Sequence, residues 1–177
     1  AQGSCVSVLL MGLPEDVAQA TIEHLTAQGD EVRVIEPDPT VQQQWRSAGA
    51  HVATGDLDAD LVERAAQGVR TLVLGRWLPP SDEPVEELLE GAVRAGVGRL
   101  VVYTDRDDAD GWAQRFAESV VLRAPRKLSL FGGRGPSGTE AAKLIDAADD
   151  LAGPLRLDLD VTKESWAPLG LTAPWED

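Results

Sequence analysis

The segment Asp105-Arg106-Asp107-Asp108-Ala109-Asp110 packs four carboxylates into six residues. A calcium loop needs oxygen ligands at alternate positions and then a glycine for the turn. Here Ala109 fills a ligand position and Asp110 stands in place of the glycine, so the run reads as a solvated acidic loop that caps the next helix. Phe131-Gly132-Gly133-Arg134-Gly135-Pro136-Ser137-Gly138 has the outline of an anion cradle, with Arg134 adding charge. A phosphate loop would follow its second glycine with Lys and Ser/Thr. Gly138 is instead followed by Thr139-Glu140, so Ser137 or Thr139 is expected to cap a helix. His24 and His51 share no spacing with a Ser–Asp or metal-binding partner and read as structural or exposed. The lone Cys5 excludes an internal disulfide and a cysteine zinc site, and reads as a small buried residue. Trp77 follows a strand near the presumed ligand edge. Tryptophans in such places favour an interface or a pocket wall.

Short apolar runs alternate with amphipathic stretches, and these must position any site. Strands are expected over residues 6–11, 31–36, 51–53, 71–74, 99–103, 119–123 and 155–159. Between them, Glu15–Gln28 carries Val17, Thr21 and Leu25 at helical spacing. Further helices are expected over about 41–48, 58–67, a segment containing Val85, Leu88, Leu89, Ala92 and Val93, about 111–118, and 139–151. Alternation with short connections predicts right-handed crossovers and a mostly parallel, doubly wound sheet covered on both sides. Residues 1–160 read as one domain. Residues 161–177 read as a tail that packs on the domain or on a partner, Trp166 and Trp175 being suited to docking.

The chain has 177 residues, enough for a single continuous core, and 43% of them are hydrophobic, which suits a globular protein. Thirty acidic residues against 16 basic ones give a net charge of −14, which argues against nucleic-acid and anionic-membrane partners. No apolar run is long enough to span a bilayer, and the first residues show no signal peptide; a cytoplasmic protein is expected.

Three segments carry a family likeness. They are Val52-Ala53-Thr54-Gly55-Asp56-Leu57-Asp58, Gly91-Ala92-Val93-Arg94-Ala95-Gly96-Val97-Gly98-Arg99-Leu100-Val101-Val102-Tyr103, and Val120-Val121-Leu122-Arg123-Ala124-Pro125. In order and spacing they resemble the atypical or extended short-chain dehydrogenase/reductases, the group of nucleotide-sugar epimerases and NmrA-like proteins. The likeness runs over roughly residues 6–160 and implies a Rossmann-like fold with a dinucleotide cofactor. The family's G-x-x-G-x-x-G loop corresponds to Gly12-Leu13-Pro14-Glu15-Asp16-Val17-Ala18. Gly12 is kept and Ala18 is small, but Glu15 stands where the backbone should approach the pyrophosphate. Glu15 and Asp16 favour the helix dipole and are expected to repel a dinucleotide in the usual pose. Glu36 matches the acidic residue that takes the ribose hydroxyls, roughly 20 residues beyond the loop.

The family's Tyr-x-x-x-Lys pair is missing. Tyr103 is the only tyrosine and Asp107 stands four residues on, while Lys127, Lys143 and Lys163 have no tyrosine in register. Thr104 sits where the family often has a catalytic or substrate-binding serine. The expectation is therefore a non-catalytic member of this fold, without cofactor, that works as a binding, regulatory or accessory subunit with a protein partner or a second copy of itself. An alternative is an NAD- or NADP-dependent oxidoreductase or epimerase-like enzyme, holding its cofactor in an altered pose through Gly12, Glu36, Asp56 and Arg76. A third reading is a small-anion or nucleotide sensor using Arg76 and Arg134, with Arg134, Thr104 and Trp77 as a candidate anion or partner site.

Overall fold

The computed structural model describes residues 6–75, 84–105, 109–124, 136–151 and 157–175. Seven strands, β1 (Ser7–Met11), β2 (Glu31–Ile35), β3 (His51–Ala53), β4 (Thr71–Gly75), β5 (Arg99–Thr104), β6 (Glu118–Arg123) and β7 (Leu157–Asp160), form one sheet in the order β3-β2-β1-β4-β5-β6-β7. Every pair is parallel. The helices are α1 (Glu15–Ala27), α2 (Pro39–Ser47), α3 (Ala59–Ala65), α4 (Val85–Arg94), α5 (Ala109–Ala113) and α6 (Gly138–Leu151), and a 3-10 turn lies at Ala167–Leu169. The expected single α/β domain with a doubly wound sheet is what the chain forms.

The central strands β1, β4 and β5 are mostly apolar and buried because both of their faces are covered. Leu9, Met11, Leu72, Leu74, Leu100, Val102 and Val121 pack under α3, α4 and α5. Val8, Leu10, Val34, Val73, Val101, Tyr103, Val120 and Leu122 pack under α1, α2 and α6, and Trp166, Leu169 and Ala173 of the tail join that same core. Trp45, Trp112 and Trp166 are all buried. They fill the cores, and Trp166 packs the tail on the domain. Trp175 is half-exposed and meets Trp166 edge-on, with ring centroids 5.6 Å apart.

The crossovers differ from expectation at one place. β6–α6–β7 advances across the sheet in the same direction as β4–α4–β5, yet α6 lies on the opposite face, beside α1. Its hand is therefore opposite to the common right-handed one. The reason is coverage. α3, α4 and α5 all lie on one face, so Val73, Val101, Tyr103, Val120 and Leu122 would be bare on the other. Ala141, Leu144, Ile145 and Ala148 of α6 cover them.

Local chemistry sets the helix ends. Asp38 Oδ1 accepts from the Thr40 amide at 2.9 Å and Pro39 occupies the first helical position, so α2 begins two residues before Val41. Ser137 and Glu140 form a reciprocal cap on α6: the Glu140 amide donates to Ser137 Oγ at 3.1 Å, and the Ser137 amide donates to Glu140 Oε1 at 2.9 Å. α5 falls earlier and is shorter than the expected 111–118, because Glu118 already opens β6.

Candidate functional site

All strands being parallel, the residues that follow them gather at one edge. Gly12 follows β1, Glu36 follows β2, Asp56 lies beyond β3, and Gly75 and Thr104 end β4 and β5. Between β1 and β4 the strand order reverses, the crevice where open α/β sheets take ligands. Gly12 has φ +79°, a turn that an L side chain resists, and it lets the chain swing from β1 into α1. Gly75 faces it across the crevice. A Cβ on Gly75 would overlap the Gly12 carbonyl and stand 3.0 Å from the Leu13 Cα. The two backbones thus touch where a phosphate chain would pass.

No side chain caps α1. Its first helical bond is the Ala18 amide to the Pro14 carbonyl at 2.8 Å, so the amides of residues 15–17 have no partner within the helix. Glu15 and Asp16 are exposed: their carboxylates stand in water and do not fold over these amides. Among the described residues no acceptor is bonded to these amides, and the positive helix end suits an anion. The carboxylates act on it through solvent, where two charges 4 Å apart repel by only about 1 kcal/mol. The expected repulsion of a dinucleotide is smaller than the sequence implies, because exposure lets the charges be screened.

Glu36 is half-buried and held on both oxygens. The Trp45 indole Nε1 donates to Oε1 at 3.3 Å, and the Asp38 amide donates to Oε2 at 3.3 Å. Gln42 Nε2 donates to the Glu36 carbonyl at 2.7 Å. A carboxylate oxygen accepts about two hydrogen bonds, so each keeps room for a ligand hydroxyl. Trp45 and Gln42 were missed as site residues. Nothing along the chain shows that α2 lays these two, three positions apart, against the end of β2. Asp56 is exposed, and the Asp58 carboxylate two residues on caps α3 through the Leu61 amide at 2.7 Å.

Thr104 is buried, and its carbonyl accepts from the Ala124 amide at 2.7 Å. Tyr103 is buried in the core with α1 and α6. Burial, together with the Asp16 and Glu140 charges, pushes its phenol far above the ordinary range. Its side chain is core material, in keeping with the missing lysine. Arg76, Trp77 and Arg134, residues 131–135 of the glycine-rich loop, Cys5, and residues 106–108 of the acidic run lie outside the described residues. Among the described residues no group of three or more His, Cys, Asp or Glu could hold a metal ion, and no helix is long and apolar enough to cross a membrane. His24 Nε2 pairs with Asp146 Oδ2 at 2.9 Å, tying α1 to α6, and His51 is exposed.

No protein-family profile matches the sequence, and no curated protein is recognisably similar to it. Solved structures match at low identity. The triphenylmethane reductase of Citrobacter sp., solved with NADP(H), is 14% identical with a TM-score of 0.64, over 85% of this chain and 68% of that one. An anaerobillin reductase from Escherichia coli O157:H7 is 16% identical with a TM-score of 0.60, over 85% of this chain and 94% of that one. A nucleoside-diphosphate-sugar epimerase from Staphylococcus aureus is 16% identical with a TM-score of 0.58, over 87% and 70%. The likeness is one of fold, and that fold is the Rossmann type of the short-chain reductases and epimerases that the sequence segments resemble.

Proposed function

We propose that this chain binds a nicotinamide dinucleotide and acts as an oxidoreductase with an altered cofactor loop. This is the alternative set beside the non-catalytic subunit in the sequence reading. The observation that carries it is the touching pair Gly12 and Gly75 at the β1/β4 crevice, beside the open amides of α1. Glycine at both positions keeps side chains out of the place where a pyrophosphate would lie. Reductases of similar fold, one of them solved with NADP(H), support the reading.

The dinucleotide, when bound, supplies hydride chemistry. The chain's own residues divide the binding. The amides of residues 15–17 hold the pyrophosphate, and Gly12 with Gly75 lets the backbone approach it. Glu36 accepts from a ribose hydroxyl, which favours NAD(H), because a 2′-phosphate would meet that carboxylate. Tyr103 donates no proton, being buried in the core with its phenol pushed up. The preferred substrate is therefore a hydride acceptor that stabilises the added electron pair itself, such as a quinone-like or cationic conjugated system, and takes its proton from water.

Calorimetric titration of the purified chain with NAD, NADH, NADP and NADPH tests the reading. Micromolar binding of NADH is expected, and Glu15→Gly is expected to tighten it by up to about tenfold, the value of about 1.4 kcal/mol. No binding of any of the four at millimolar concentration, by wild type or variant, would overturn it.

A further inference from the structure

We propose that Trp45, acting through Glu36, is the residue that sets discrimination between NAD(H) and NADP(H). The inference rests on the dinucleotide reading above and names a positioning residue within it. Trp45 is 2% exposed, so its ring is fixed by packing among Val34, Ala50 and the rest of that core. Its Nε1–H, a donor with no acceptor role, points out of that core and donates to Glu36 Oε1 at 3.3 Å. The Asp38 amide, at the cap of α2, donates to Oε2 at 3.3 Å. Gln42, buried on the same helix, fixes the Glu36 backbone through its carbonyl at 2.7 Å. A glutamate at a strand end otherwise has several rotamers and turns away from a bulky anion. Here two donors, the Trp45 indole and the Asp38 amide, hold the carboxylate, and Gln42 holds the backbone behind it.

Held in this way, the carboxylate accepts from a 2′-hydroxyl with little ordering cost, and it cannot withdraw from a 2′-phosphate. The neighbouring side chains add to this. Asp38 and Asp56, both exposed near the same edge, are acidic, and among the described residues no arginine or lysine pairs with Glu36. A free glutamate would lose the second half of the selectivity by swinging aside. Trp45 therefore acts on the ratio of two affinities, and a residue that merely supports the fold would move both alike.

The test compares NADH and NADPH dissociation constants for wild type, Trp45→Phe and Glu36→Gln, with thermal melts alongside. Wild type is expected to prefer NADH by at least tenfold. Trp45→Phe keeps an aromatic ring, smaller than the indole, and loses the donor. It is expected to cut the preference several-fold, mostly by weakening NADH, and Glu36→Gln is expected to abolish it. Should Trp45→Phe fail to fold, the indole N–H resonances of the wild type give the answer. One of them must shift on adding NADH or 5′-AMP, must not shift with nicotinamide mononucleotide, and must be displaced in Glu36→Gln. An unchanged ratio in Trp45→Phe, or an indole signal indifferent to 5′-AMP, would overturn the inference while leaving the cofactor reading intact. Wild type that binds neither dinucleotide would overturn both.

Discussion

The two edges of the sheet treat their polar groups in opposite ways. At the amino edge, Asp149 of α6 is buried and fully engaged. Thr71 Oγ1 donates to its Oδ1 at 2.5 Å, Arg70 Nη2 donates to Oδ2, and Arg99 Nη1 donates to its backbone carbonyl at 3.1 Å. Arg99 also reaches Glu118 at 3.3 Å, so the starts of β4, β5 and β6 are tied to the end of α6. At the carboxyl edge, the α1 amides have no side-chain cap and the backbones of Gly12 and Gly75 meet without a side chain between them. One edge spends its donors and acceptors on itself and holds α6 on its unusual side. The other leaves donors for a ligand. The network around Asp149 marks the amino edge as structural, and among the described residues the uncapped α1 amides set that helix start apart from the capped starts of α2, α3 and α6.

The largest effect expected is at the amino edge. Asp149→Ala leaves Arg70 and Thr71 without their buried acceptor and should cost about 3 kcal/mol in urea unfolding. NADH affinity of the folded protein should not change, and a binding loss as large as the stability loss would break the separation of the two edges. Gly75→Ala should show the reverse weighting. Its Cβ overlaps the Gly12 carbonyl, so the loop must shift, at a stability cost of about 2 kcal/mol. Dinucleotide affinity should fall tenfold or more.

A smaller effect lies between the edges, at Tyr103. Its folded pKa is raised above the ordinary tyrosine value, so the folded state keeps a proton that the unfolded state gives up. The stability this proton contributes is complete below about pH 10 and is lost as pH rises beyond it, by up to about 1.4 kcal/mol per pH unit. With one tyrosine in the chain, tyrosinate absorbance reads this residue alone. It should appear together with unfolding in alkaline titration, and Tyr103→Phe should flatten the slope. Tyrosinate forming in the native protein near pH 10 would show that the ring is not buried.

The smallest effect is ionic. Raising salt should tighten NADH binding by about two- to threefold as the Glu15 and Asp16 charges are screened, and Glu15→Gly should lose most of that gain. A salt dependence unchanged in the variant would mean that Glu15 does not face the cofactor.

Much of this fold was legible in the chain. The apolar runs at 7–11, 71–74 and 99–103 announced strands buried on both faces, because only such strands lack a polar alternation. Ser137-Gly138-Thr139-Glu140 announced a helix start through a pattern of local bonds. The helix expected over about 41–48 starts at Pro39, and Asp38 followed by proline is itself a helix-start signal. Of the site, Gly12 and Glu36 could be named because each lies at the end of a strand with its neighbours in register. Gly75 could not be singled out, since its role is a contact with a loop far away in sequence. The type of Glu15 was visible in the chain and its exposure was not.

The sequence by itself determined the alternation of strands and helices, the single-domain class, the acidic surface and the missing Tyr-x-x-x-Lys pair. These depend on residue type and on spacings of a few positions, where local sterics and amphipathic period decide. The tertiary structure alone decided on which face α6 lies, which tryptophans are core, what holds Glu36, and that two glycines meet at the crevice. Each of these is set by which surfaces remain uncovered once the sheet has assembled, a property of the whole sheet and of no single segment.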